Sequence, residues 1–259
     1  MAVTNNQGRL QIHDTYKLKA IAQLEDGRNN RIGTLHWSSK LLASGSGDKN
    51  ICIYDIRTFQ KVARKFHAHK QEICGVKWSY DDQQLASGGN WTTKLGNDNK
   101  LCIWDMRMDL PLFKFYDHQA AIKGLSWSPH QHGLLASGGG AKDRTIKFWN
   151  TTEGKLTHSV DTESQVCNVL FSKNTNELVS THGYTHNQIM FWKTRDLEHF
   201  DTLIGHRMRV LYIALSPDGK TIVTCGGDET LRFWNVFPEG KKSTAVQVSS
   251  LSLTENFLH

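Results

Sequence analysis

The chain holds 259 residues, 38% hydrophobic and 22% charged, which is material for a sizeable core. Its formal charge of +6 is scattered, the densest basic run being "KVARKFHAHK" at 61–70, which argues against nucleic acid as a partner. With no apolar run near about 18 residues and no charged-then-apolar amino terminus, neither a membrane contact nor a secretion signal is expected.

Taken in order, residues 1–22 read as the last three strands of an incomplete blade. Five complete units follow at 23–66, 67–116, 117–160, 161–204 and 205–250, with a tail at 251–259. Each unit opens on an alternating strand: "IGTLHW", "ICGVKW", "IKGLSW", "VCNVLF" and "VLYIAL". A turn leads to a small-residue strand: "LLASGS", "QLASGG", "LLASGG", "ELVSTH" and "IVTCGG". A polar turn then leads to a third strand that ends on Tyr54–Asp55, Trp104–Asp105, Trp149–Asn150, Trp192–Lys193 or Trp234–Asn235, at intervals of 50, 45, 43 and 42 residues. After Trp234, "TAVQVSSLSL" suits an outer strand of the last unit. Period-2 alternation, glycine-rich turns and this spacing predict an all-β propeller of four-stranded blades, with about five and three-quarter blades in the chain.

Three units carry the same polar set: His69, Ser87, Asp98 and Trp104; His118, Ser137, Asp143 and Trp149; His206, Thr224, Asp228 and Trp234. A chain of hydrogen bonds from Asp to His to Ser or Thr to the indole N–H would satisfy groups that packed blades bury. A hydrolase triad needs to occur only once, whereas this constellation recurs with the blade. No P-loop, HExxH or GxSxG element offers another chemistry, so the chain reads as a non-enzyme without cofactor. Five isolated cysteines (52, 74, 102, 167 and 225) lack CxxC spacing, which predicts a reducing compartment, nucleus or cytoplasm, and no metal site.

The period and polar set resemble the WD-repeat family. More specifically, "QEICGVKW", "WSPHQHGLLASGGGAKDRTIKFWN", "NELVSTHGYTHNQIMFWK" and "GGDETLRFWNVF" resemble the fizzy and fizzy-related activators of the anaphase-promoting complex, the fizzy-related branch above all. The resemblance implies a seven-bladed propeller of which this chain holds most of the second blade and all of blades three to seven. It also implies a receptor that presents degron peptides of cell-cycle proteins to the core of that ubiquitin ligase. The Lys-Glu-Asn pocket would fall on Asn97 or Asn90, on Gln165 in "SQVC" and on Arg209 in "RVL". Guanidinium suits a degron carboxylate and side-chain amides suit peptide backbone. Read without the resemblance, Arg209 is a solvated loop charge. The destruction-box contact would be Glu229 of "GDET", beside Asp228 of the polar set.

The sequence departs from that family at several points. Its amino-terminal docking box, first blade and Ile-Arg tail have no counterpart here, and the Thr of the family's "GGGT" is Ala141. The alternative is a shortened, non-activating propeller that serves as a scaffold or competes for substrates. The turn from Ser87 to Leu101 also spans fourteen positions where the other units need six to nine, so "WTTKLGN" at 91–97 reads as an insertion. It is either a retained stretch of intron or a real loop, in which Trp91 would cover the pocket mouth and Lys94 would repel a basic degron end.

Overall fold

A computed structural model of the chain describes residues 1–24, 28, 30–57, 62–67, 69–90, 98–184, 186–237 and 248–252, the last stretch as backbone only. These residues form six antiparallel sheets and no helix. The first sheet has three strands, β1 (Ala2–Thr4), β2 (Leu10–Asp14) and β3 (Lys19–Leu24). Five four-stranded sheets follow. The second holds β4 (Ile32–Trp37), β5 (Leu41–Ser46), β6 (Asn50–Asp55) and β7 (Val62–His67). The third holds β8 (Ile73–Trp78), β9 (Gln84–Gly89), β10 (Leu101–Asp105) and β11 (Phe113–Phe115). The fourth holds β12 (Ile122–Trp127), β13 (Leu134–Gly139), β14 (Thr145–Asn150) and β15 (Lys155–Asp161). The fifth holds β16 (Gln165–Phe171), β17 (Glu177–Gly183), β18 (Ile189–Lys193) and β19 (His199–Leu203). The sixth holds β20 (Val210–Leu215), β21 (Thr221–Gly226), β22 (Thr230–Asn235) and β23 (Val248–Ser252).

Each sheet pairs its strands in chain order, the arrangement of a propeller blade. Strands β3, β7, β15 and β23 run one or two residues past the boundaries expected at 22, 66, 160 and 250. The "TAVQVSSLSL" segment supplies β23, whose Ser249 lies opposite Phe233. The contacts divide the chain into two compact units, residues 1–125 and 126–259, with the boundary inside β12.

Hydrophobic clusters lie between neighbouring sheets in each unit. In the first unit, Ile51, Ile53 and Phe66 pack against Ile73, Trp78 and Trp104. In the second, Ile146 and Phe148 pack against Val166, Phe171 and Trp192, and a further cluster joins Val179 and Phe191 to Ile222 and Trp234. The small-residue strands make this approach possible. A Cβ built on Gly138 would lie 2.4 Å from Val166 Cγ1, so the Gly of "ASGG" is what lets the next sheet close. None of the five cysteines is in a disulfide, and burial pushes the Cys102 thiol to about 12 and the Cys74 thiol to about 11.

Candidate functional site

The recurring polar set is a buried brace. In the third sheet, Trp104 Nε1 donates to Ser87 Oγ at 2.8 Å, and Ser87 Oγ lies 2.8 Å from His69 Nε2. His69 Nδ1 is 3.2 Å from Asp98 Oδ2, which also accepts from the Lys70 and Gln71 N–H groups. In the sixth sheet, Trp234 Nε1 donates to Thr224 Oγ1 at 2.8 Å, Thr224 Oγ1 meets His206 Nε2 at 2.8 Å, and His206 Nδ1 meets Asp228 at 3.1 Å. Burial raises the Asp228 carboxyl, but hydrogen bonds from the Arg207 N–H, the Thr230 hydroxyl and His206 outweigh it and hold the group at about 2. The same balance, with His69 as partner, holds Asp98 below the carboxylate range, while burial lowers His206. In the fourth sheet Trp149 Nε1 donates to Ser137 Oγ at 2.7 Å, and His118 and Asp143 are buried. The hydroxyls of Ser87, Ser137 and Thr224 are enclosed, which places none of them where a substrate could meet a nucleophile.

Two further braces are built from other residues. In the fifth sheet Trp192 Nε1 donates to Ser180 Oγ at 2.7 Å, Ser180 Oγ lies 2.7 Å from His182 Nε2, and His182 Nδ1 lies 2.8 Å from Ser164 Oγ. The histidine here comes from the second strand, at a position held by Gly89, Gly139 and Gly226 in three other sheets and by Ser46 in the second. It is fully buried, and burial lowers it to about 3 against backbone groups of Gln165 and Ser164. In the second sheet Arg28 stands where the histidine would be: Nη1 donates to Ser44 Oγ at 3.2 Å and Nε faces Asp48 Oδ2 at 3.4 Å. The visible signals are "GR" at 27–28 where "GH" stands at 205–206, and "VSTH" at 179–182 where "ASGG" stands at 86–89 and 136–139.

Two of the candidate binding residues, Gln165 and Arg209, sit at one register position, immediately before the first apolar residue of an opening strand. That position also holds Arg31, Glu72 and, in the fourth sheet, Ala121. Its carbonyl is tied to the turn after the second strand: Gly47 donates to Arg31 O at 2.9 Å, Asn90 to Glu72 O at 2.7 Å and Gly227 to Arg209 O at 2.9 Å. The backbone is therefore fixed while the side chain faces the turns. In the first unit, Arg31 Nη2 meets Glu72 Oε1 at 2.5 Å, and the two charges satisfy each other.

In the second unit the arrangement is open. Gln165 lies opposite Gly183 in the β16–β17 register, and the stem of Arg209 lies over the same glycine. A Cβ on Gly183 would meet Arg209 Cγ at 2.5 Å and Cδ at 2.8 Å. The Arg209 guanidinium carbon sits 4.7 Å from the centre of the Tyr184 ring, an exposed aromatic that sequence reasoning missed. Gln165 Oε1 is buried and has no hydrogen-bond partner among the described residues.

Of the other expected residues, Asn90 belongs to the first unit, half-buried beside Glu72. Asn97 and the rest of 91–97, Trp91 and Lys94 included, lie outside the described residues. Glu229 is exposed, with φ 60°. Asp228 Oδ1 accepts the Thr230 hydroxyl within the turn and turns inward to His206, so Glu229 takes the left-handed position and points away from the brace. Lys49 (φ 71°) and Arg144 (φ 59°) hold that position in the turns after Asp48 and Asp143.

The family model for the CDC20/Fizzy WD40 domain matches residues 1–234. The chain is 52% identical to Protein FIZZY-RELATED 1 of Arabidopsis thaliana over 253 residues, covering 97% of this chain and 52% of that one. It is 45% identical to the anaphase-promoting complex subunit cdh1 of Dictyostelium discoideum, covering 94% of this chain and 36% of that one. Among solved structures, a chain in the crystal structure of the mitotic checkpoint complex superposes with a TM-score of 0.86 at 37% identity, over 92% of this chain and 73% of that one. The fold is thus the WD40 β-propeller, and the chain spans about half the length of the curated relatives it matches.

Proposed function

Because the chain belongs to the CDC20/Fizzy WD40 family, we propose that it is a substrate-recognition and activator subunit of the anaphase-promoting complex. It holds degron peptides of cell-cycle proteins for ubiquitination, in nucleus and cytoplasm, and works by binding. The observation that carries this reading is the meeting of Gln165 and Arg209 at Gly183, with a buried amide oxygen left to accept a hydrogen bond. The guanidinium of half-buried Arg209 donates paired charge-assisted bonds to a carboxylate, and a rotation of the Gln165 amide brings its unpartnered oxygen out to a peptide N–H or a side-chain donor. That chemistry matches the Glu of a Lys-Glu-Asn motif. Glu229 offers its carboxylate to the arginine of a destruction box.

The test is titration of a labelled Lys-Glu-Asn peptide against wild type and Arg209→Ala. Loss of a charge-assisted pair weakens binding about tenfold or more in the variant. Equal binding by both proteins, or none by either, overturns the reading.

A further inference from the structure

We infer that Gly183 and Tyr184 form a cradle that presets the Arg209 guanidinium for an acidic peptide side chain, with Tyr184 acting as a positioning residue that fixes where Arg209 points. The inference rests on the peptide-receptor reading above and adds to it the residues that set the reach of its central charge.

The geometry is local and complete. Arg209 is anchored at its backbone, where its carbonyl accepts the Gly227 N–H at 2.9 Å. Its stem then runs across Gly183 through space that any Cβ would take, at 2.5 Å from Cγ and 2.8 Å from Cδ. Beyond the stem, the guanidinium lies over the Tyr184 ring at 4.7 Å. Tyr184 itself is held with φ 70°, a left-handed conformation uncommon for a bulky residue, and its side chain remains 68% exposed. An exposed ring in that backbone region gains little from packing. Its contact is with the cation, and a cation stacked on one face keeps its in-plane N–H fork free for a carboxylate. An arginine whose side-chain torsions are all free would lose that freedom on binding, whereas one already laid along Gly183 and Tyr184 loses less. At the matching register in the first unit, Arg31 is spent on Glu72, so the cradle marks the position where the charge is kept available.

The experiment compares wild type with Tyr184→Phe, Tyr184→Leu and Gly183→Ala in two measurements. The first is the side-chain Nε–Hε resonance of Arg209 in peptide-free protein, assigned by its loss in Arg209→Ala. A ring beneath the guanidinium shifts this resonance upfield in wild type and Tyr184→Phe, and the shift disappears in Tyr184→Leu and Gly183→Ala. The second is affinity for the Lys-Glu-Asn peptide, which falls about 2- to 5-fold in Tyr184→Leu and returns in Tyr184→Phe. In Gly183→Ala it falls at least as far, because the new methyl displaces the Arg209 stem. An Arg209 resonance identical in wild type and Tyr184→Leu overturns the cradle whatever the peptide does. Equal peptide binding by wild type and Arg209→Ala defeats the receptor reading instead, and the resonance comparison still decides the cradle.

Discussion

His182 makes the stability of this chain acid-sensitive well before its carboxylates titrate. The imidazole is fully buried between Ser164 and Ser180, and burial lowers it to about 3 from an ordinary 6.5. Between those values the unfolded chain binds a proton that the folded chain refuses, so stability falls as pH drops below about 6.5 and levels off only near 3. At pH 5 the unfolded histidine lies about 1.5 units below its midpoint, which at about 1.4 kcal/mol per unit removes roughly 2 kcal/mol. Replacing His182 by Gln keeps a hydrogen-bonding side chain between Ser180 and Ser164 while removing the titration. Urea unfolding followed by tryptophan fluorescence at pH 7.5 and 5.0 reads the difference. Wild type loses about 2 kcal/mol more than His182→Gln over that interval, whatever the variant costs at pH 7.5. A parallel NMR titration of wild type shows the His182 ring still neutral at pH 5. Equal losses in the two proteins, or a ring that protonates near 6.5 in the folded state, would refute the reasoning.

Two other outcomes follow from the braces and turns. Thr224→Val removes the acceptor of Trp234 Nε1 and the partner of His206 Nε2 at once, and costs about 2–4 kcal/mol in urea unfolding. Thr224→Ser restores most of that loss, and equal losses in the two variants would show that packing of the methyl matters more than the hydroxyl. Glu229→Lys leaves the urea midpoint where it was, since the side chain points away from the brace, and weakens an arginine-bearing destruction-box peptide as measured by fluorescence anisotropy. Unchanged affinity would remove Glu229 from the peptide site.

What the sequence made legible is the part of the fold that repeats. Alternation, the small-residue strand and the terminal Trp recur in nearly fixed register, and the strands they mark are the strands observed. The hydrogen-bond set was legible only where each role is played by the usual residue from the usual place. Arg28 does the work of a histidine with a longer reach, and His182 enters from the second strand, so a search for Gly-His and Asp at set spacings passes over both. Their local cues, Arg after Gly27 and His in place of a strand glycine, become informative once the buried Ser44 and Ser180 demand a partner. Tyr184 was hidden for another reason. Nothing in "HGYTHNQ" says that an arginine 25 residues on will lie across Gly183, because that contact belongs to sheet packing and not to any local pattern.

The register position that carries Arg31, Glu72 and Arg209 is held by its carbonyl oxygen, an atom every amino acid possesses. Whatever residue stands there, the tether to the following turn is made, and the fold asks nothing of the side chain. Such a position behaves like a socket. Substitution changes what is plugged in without loosening the fitting, so charge can be reversed, neutralised or lengthened from blade to blade at little thermodynamic penalty. The contrast between Arg31, closed on Glu72, and Arg209, left open over Gly183, then records two ways of wiring the same socket, and new recognition surfaces are within one codon of the old.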